Sequence, residues 1–364
     1  MKCIFTTVTL ALMLASFTAM GETNDAITRA WIEYADLAPS FTLPKTKRAW
    51  ERKRGEIRKE LWRLLGDLPP RPKVPKVEIL SREDRGDYIL EKFQFDNRAG
   101  AMVPGYLLLP KQTKGKAAGI LYNHWHGGHY DVGKEELFRT NALPIPGGPE
   151  LARRGYVVCA IDAYGFGERN GKGPGGAGER DGAGELTASK FNLWAGRTLW
   201  GMMVRDDLMA LDYLCSRPEV DSKRVGVTGI SMGATRTWWL MAMDERPRAG
   251  VAVCCWTRYQ DLMSEQGLQY HGIYYFVPGV LKHFDTEAIT SLAAPHALLF
   301  QSGELDGGSP VAGIRKMEPF VRSAYALYGA EAKFDSIIFP ATGHVYTPEM
   351  WQGTLAWFER ELKR

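Results

Sequence analysis

The sequence predicts an α/β architecture: a mostly parallel, doubly wound sheet with an antiparallel N-terminal edge and a helical N-terminal extension. Three observations predict it. From about residue 118, continuous apolar runs alternate with helical patterns, the signature of a parallel sheet covered on both faces. Before that point the strand-like runs are short and alternate apolar with polar residues, as a half-exposed antiparallel edge does. Earlier still, Trp50 through Arg54 leads into Ile57, Leu61, Leu64 and Leu65, an apolar stripe at helical spacing with charges on the other faces.

In order, Met1–Gly21 reads as a secretory signal: Lys2, an uncharged stretch centred on Val8–Phe17, then Ala19-Met20-Gly21 as a small-residue cleavage site. A membrane anchor is the rival reading, but about 20 apolar residues are needed and this stretch contains threonines. Secretion or periplasmic export is therefore expected. The helical extension covers 22–75 and stops at Leu68-Pro69-Pro70. A single catalytic domain is expected over 76–364. Its strands are Val77–Leu80, Tyr88–Phe95, Met102–Leu109, Gly119–Asn123, Tyr156–Asp162, Arg224–Gly229, Gly250–Trp256, His296–Gln301 and Phe334–Pro340. Helices are expected at Glu150–Arg154, Thr198–Cys215, Met232–Met243, Gly313–Tyr328 and Thr347–Leu362. Two long connections, 164–197 and 257–294, match no regular unit, and insertions of that size usually carry function.

Composition excludes several classes. With 364 residues, 45% hydrophobic and 24% charged, the chain is globular rather than disordered. Lysine plus arginine (46) nearly balances aspartate plus glutamate (42), so no nucleic-acid footprint exists. Cys159, Cys215, Cys254 and Cys255 remain after the signal, too few for a disulfide scaffold and none in a C-x-x-C pair. Neither a dinucleotide fingerprint nor a phosphate loop occurs, and no cofactor is called for.

The sharpest chemical signal is Gly229-Ile230-Ser231-Met232-Gly233, between a strand and a helix. A serine there sits on a tight turn where neighbouring side chains would collide with backbone, and the next amide, that of Met232, is free to stabilise an oxyanion. A serine needs a base, and the partners follow in the order acid, then histidine. His344, after the last strand, is the expected base. His296 begins a strand and reads as structural, while His271 and His283 lie in the second insertion and could only line the pocket. Asp306, beyond the Gly303 turn, is the expected acid, with Glu304 and then Asp261 as rivals. The run His124-Trp125-His126-Gly127-Gly128-His129 allows two chemistries: a second oxyanion amide from His126 or Gly128, or a metal held by His124, His126 and His129. Trp125 and Trp256, with Tyr259, Tyr270, Tyr274 and Tyr275, are candidates to stack on sugar faces. Arg169, Arg180 and Arg258 could pair with an acidic sugar.

With these pieces placed, the chain resembles the α/β-hydrolase superfamily, and more narrowly its exported branch related to dienelactone hydrolases and acetyl xylan esterases. The residues that carry the resemblance are the His124–His129 turn, the D-x-x-G-x-G-E-R run from Asp162 to Arg169, Arg217-Pro218-Glu219-Val220-Asp221, Gly229–Gly233, Gly303-x-x-Asp306 and His344. Trp125 stands where relatives often have glycine, and Ala234 where many have a second one. The resemblance implies ester hydrolysis through an acyl-enzyme, with Ser231 as nucleophile, His344 as base and Asp306 orienting it. The implied substrate is an acetyl or methyl ester on a small molecule or polysaccharide, with no nucleic acid or membrane partner. A prolyl-oligopeptidase-type serine peptidase, a metal-dependent hydrolase and a non-catalytic binding relative are the other readings. The first would need room for a propeller, and the last would be expected to have lost Ser231 or His344.

Overall fold

The computed structural model describes residues 26–37, 41–113 and 115–363. The expected signal, 1–21, lies outside them.

The extension begins with helix α1 (26–34) and continues as α2 (Lys47–Leu65). Thr46 caps α2 by accepting the Ala49 amide, satisfying one of the donors a helix start leaves free. Trp50, Arg54, Ile57, Leu61 and Leu65 form its buried face, the stripe anticipated from spacing. Arg54 is buried with them because its guanidinium donates twice to the Leu292 carbonyl, at 2.9 and 3.1 Å. The extension is thus a layer of the fold rather than a free arm.

Among the described residues nine strands make one sheet in the order β1-β2-β3-β5-β4-β6-β7-β8-β9. Strands β1 (Val77–Asp84), β2 (Tyr88–Asp96) and β3 (Met102–Pro110) are antiparallel neighbours. β3 meets β5 (Val157–Ile161) antiparallel, and from β5 outward every pairing is parallel. Those later strands are β4 (Ala117–Asn123), β6 (Val220–Ile230), β7 (Pro247–Val253), β8 (Ala297–Gly303) and β9 (Phe334–Phe339). All residues of β4, β5 and β8 are buried, as a sheet covered on both faces requires. Helices α3 (Gly147–Arg153), α4 (Asp181–Trp194), α5 (Leu199–Ser216) and α6 (Met232–Met243) follow in the chain. The short α7 (Tyr259–Ser264) and α8 (Thr286–Ser291), then α9 (Val311–Ala326) and α10 (Pro348–Leu362), come after them.

Every expected strand is present, and the fold is the expected one. The differences lie in the insertions, which were expected to hold no regular unit. Residues 164–197 contain all of α4, and 257–294 contain α7, α8 and several single turns. Helix α4 escapes a sequence reading because Gly182 and Gly184 break its pattern and Leu186, Phe191, Leu193 and Trp194 remain exposed.

Candidate active site

Ser231 joins β6 to α6 in a conformation ordinary residues avoid, φ 59° and ψ −122°. Its amide is fixed by the Val253 carbonyl of the neighbouring strand at 2.9 Å. The flanking glycines are there because no side chain fits. A Cβ on Gly229 would meet the Asn123 carbonyl oxygen at 2.3 Å, and one on Gly233 would meet the same oxygen at 2.0 Å. The end of β4 therefore passes directly beneath the turn, and it holds Ser231 up by contact. Gly233→Ala tests this. At an ordinary helix position that change stabilises by about 1 kcal/mol. Here overpacking should reverse the sign and cost about 1–3 kcal/mol, read as a lowered thermal midpoint.

Asp306 and His344 are brought together by the last two parallel strands. β8 and β9 run in register to Gly303 opposite Phe339, so their loops leave the sheet side by side. Leu305 donates to the Thr342 carbonyl at 2.8 Å, and a Cβ on Gly303 would strike the carbonyls of Thr342 and Gly343 at 2.3 Å. Within this crossing His344 Nδ1 donates to Asp306 Oδ2 at 2.9 Å. Asp306 is buried and also accepts the Gly308 amide at 2.9 Å. Burial alone would raise its pKa, but the hydrogen bond and charge of His344, with help from Ser309 and Gly308, hold it below the ordinary aspartate value. The rivals are engaged elsewhere: Glu304 accepts the Ala341 amide at 3.0 Å, and buried Asp261 is paired with Lys316.

Ser231, Asp306 and His344 line one cleft of about 580 Å3 at the carboxyl ends of the strands, where ligand sites of such sheets lie. Among the described residues no hydrogen bond yet joins Ser231 Oγ to His344; the recorded contact of Oγ is the Cys255 thiol at 3.8 Å. A serine–histidine bond of this kind commonly tightens only once substrate is bound. His271 also faces the cleft, its ring hydrogen-bonded to the Gly308 carbonyl at 2.9 Å. His283 and His296 lie away from it, beside Glu60 and Arg248 respectively.

The amides of the turn expected to supply a second oxyanion donor differ in what they already bond. Gly128 spends its amide on His126 Nδ1 at 3.0 Å, and Trp125 spends its own on Glu136 at 2.7 Å. The His126 amide has no such partner among the described residues, so of the two it is the one left free to meet a ligand. Met232 is the first residue of α6, where an amide has no partner inside the helix. The His126 ring is held from the other side: Nε2 donates to the buried Glu185 of α4 at 2.9 Å, and the ring stacks on Tyr274. Glu136, buried under the same turn, has its carboxyl pushed up to about 8 by burial, against the lowering pull of the Tyr122 hydroxyl and Trp125 amide it accepts. Neither glutamate carried a motif, so sequence reasoning missed both.

The histidine run does not form a metal site. His124 is fully buried, its Nε2 accepting the Ala163 amide at 3.0 Å and its Nδ1 facing the Trp125 carbonyl at 2.8 Å. Both His126 nitrogens are engaged, and His129 stacks on Trp125. The three rings answer to different partners.

Of the two tryptophans expected at the sugar face, Trp256 is corrected by its burial, and Trp125 is not among the residues lining the cleft. Trp256 is fully buried, stacked on Phe300 at 3.8 Å with its indole N–H on Thr290 Oγ1. It was placed at a strand end, but β7 stops at Val253. Cys254 and Cys255 follow at φ 64° and 50°, and beyond them Trp256 is in the core. Trp125 packs under Gly127 and against His129 and is not among the cleft residues. Of the tyrosines, Tyr270 and Tyr274 line the cleft, whereas Tyr259 and Tyr275 face a separate apolar pocket. The arginines do not reach the cleft either. Arg169 is buried against Asp206 and the Asp162 carbonyl, Arg258 sits among Asp261, Asp285 and Glu287, and Arg180 lies against Gly171.

The sequence pattern of the Abhydrolase family matches residues 26–336, most of the chain. The chain belongs to that family. Among curated proteins this Abhydrolase chain is 40% identical over 296 residues to the "Putative hydrolase YtaP" of Bacillus subtilis (strain 168), spanning 81% of this chain and 95% of that one. Solved structures share the fold at lower identity. A "putative acetyl xylan esterase" from Bacteroides fragilis NCTC 9343 superposes with a TM-score of 0.65 at 19% identity, covering 89% of this chain and 82% of that one. The glucuronoyl esterase from Solibacter usitatus gives 0.63 at 18% identity, covering 89% and 98%.

Proposed function

We propose that this member of the Abhydrolase family is an exported serine esterase that removes acetyl or methyl esters from a carbohydrate through an acyl-enzyme. The observation that carries the reading is the shared cleft: it is lined by a serine on a strained turn and by a histidine whose Nδ1 is tied to a buried aspartate. Ser231 Oγ attacks the ester carbonyl while His344 Nε2 takes its proton. The Met232 and His126 amides receive the negative charge on the carbonyl oxygen. His344 then passes its proton to the leaving alcohol, and water attacks the acyl-serine by the same route. Removing one oxyanion donor typically costs about 3 kcal/mol of barrier, so the tether of His126 to Glu185 bears directly on rate.

The carbohydrate assignment rests on the cleft and on the names of the structural neighbours. Among the described cleft residues there is no lysine or arginine, which favours a neutral ester over one recognised by a free carboxylate. Tyr270, exposed at the rim over Gly307, is the aromatic face available to a sugar ring. Tyr270→Ala should raise KM for an acetylated polysaccharide roughly 2–10-fold, the worth of one aromatic stacking contact, and leave KM for p-nitrophenyl acetate unchanged. The experiment that tests the function is fluorophosphonate labelling, expected at Ser231, alongside turnover of acetylated xylan, methyl-esterified pectin and a proline-containing peptide anilide. Turnover of the anilide alone would overturn the esterase reading in favour of a peptidase.

A further inference from the structure

Cys254 lies directly after β7, fully buried, at φ 64°. The mechanism above gives its thiol no task. Yet one ligand atom each from Cys254, Asp306 and His344 lie within 4.8 Å of one another. A soft sulfur, an imidazole nitrogen and a carboxylate oxygen are the three ligand types that zinc combines in protein sites. Calcium and magnesium prefer several oxygen ligands and have no use for the thiol.

We infer that Cys254, Asp306 and His344 form a binding site for a thiophilic divalent cation of the zinc class, and that its occupation switches the hydrolase off. Tetrahedral zinc places its ligand atoms about 3.3–3.6 Å apart. The cluster reaches that by drawing in its longest edge and opening the Asp306–His344 contact of 2.9 Å slightly. His344 supplies the way in: its side chain is 35% exposed on the loop after β9, while the thiol and carboxylate lie beneath. On binding, the Cys254 S–H bond breaks, its proton leaves to solvent and the thiolate pair goes to the metal. Asp306 and neutral His344 contribute lone pairs, and a water completes the four.

Either ring nitrogen gives the same outcome. Metal on Nε2 blocks the atom that must accept the serine proton. Metal on Nδ1 leaves the ring's proton on Nε2, which then cannot accept another. The binding stands on the cluster alone, whereas the loss of activity rests on the serine-esterase reading, so the two are measured separately.

Zinc chloride is titrated calorimetrically into the Ser231→Ala chain and into the same chain carrying Cys254→Ser. One zinc per chain is expected in the first. The second should bind more weakly by more than the roughly tenfold that losing even an outer partner of a ligand costs. In parallel, p-nitrophenyl acetate turnover of the native chain should fall at least tenfold with saturating zinc, return with EDTA and ignore magnesium chloride. Each variant is compared with its own zinc-free rate, and Cys255→Ser should stay as zinc-sensitive as the native chain. Equal zinc binding with and without Cys254 would overturn the site. If the zinc-free native chain has no serine-dependent turnover, the esterase reading fails and the titration still decides the site. Should Cys254→Ser not fold, the thiolate-to-cadmium absorption band on the native chain decides it instead: its absence at saturation overturns the inference.

Discussion

Ser231→Ala should lower kcat for p-nitrophenyl acetate by on the order of 10^6-fold and abolish fluorophosphonate labelling, with the protein still folded. The size follows from the unit nature of the machinery. Without the hydroxyl, His344 has nothing to activate, and only the oxyanion amides and binding remain. The folded state should change little, because among the described residues Oγ makes one weak hydrogen-bond contact, with the Cys255 thiol at 3.8 Å. An alanine at φ 59° inherits the strain already present in the native turn. Thermal midpoints of the two chains should therefore agree closely while their rates do not. A variant that keeps a few per cent of native turnover would move the nucleophile elsewhere, and the nearest candidate is Cys255. Burial pushes that thiol up to about 12, so almost no thiolate exists at neutral pH. Cys255→Ser should accordingly retain labelling at Ser231.

The fold was legible because its signals are local. Apolar runs with turns between them place all nine strands, and the stripe Trp50–Leu65 places α2, since burial on one face repeats at helical spacing. The order of strands and the pairing of the β8 and β9 loops are long-range facts, so sequence could rank Asp306 over Glu304 and Asp261 but could not show that Gly303 and Phe339 lie side by side or that Asp306 meets His344. The failures are equally physical. Trp256 was read as the end of a strand, but two consecutive left-handed residues, neither glycine, follow Val253, and nothing in the letters Cys-Cys announces that. Glu136 and Glu185 hold Trp125 and His126 from 11 and 59 residues away, distances at which no spacing rule operates. That the Gly128 amide turns back onto His126 Nδ1 was equally illegible, because it depends on where a side-chain nitrogen sits.

Asp306→Asn should lower kcat by about 10^4-fold, whereas Glu304→Gln should stay within roughly tenfold of native. The asparagine keeps the shape of the carboxylate but can turn an N–H toward His344 Nδ1, which drives the imidazole proton onto Nε2. The nitrogen that must accept the serine proton is then already protonated. Glu304 holds only the Ala341 amide, at the start of the same loop, so losing its charge should loosen His344 without changing its tautomer. Stability gives an independent reading of the same residue. The Asp306 pKa is depressed in the fold: burial opposes the charged form, but the His344 hydrogen bond and charge outweigh it. A depressed carboxyl contributes stability that is fully present above its unfolded value, about 3.9, and lost as pH falls through the folded value below it. The native chain should thus exceed Asp306→Asn in thermal midpoint at neutral pH, and the difference should shrink only in strong acid. An acid limb of activity between pH 4 and 7 cannot then come from Asp306 and must report another group. If the midpoint gap instead closes near pH 6, the carboxylate does not carry the charge that this dyad requires.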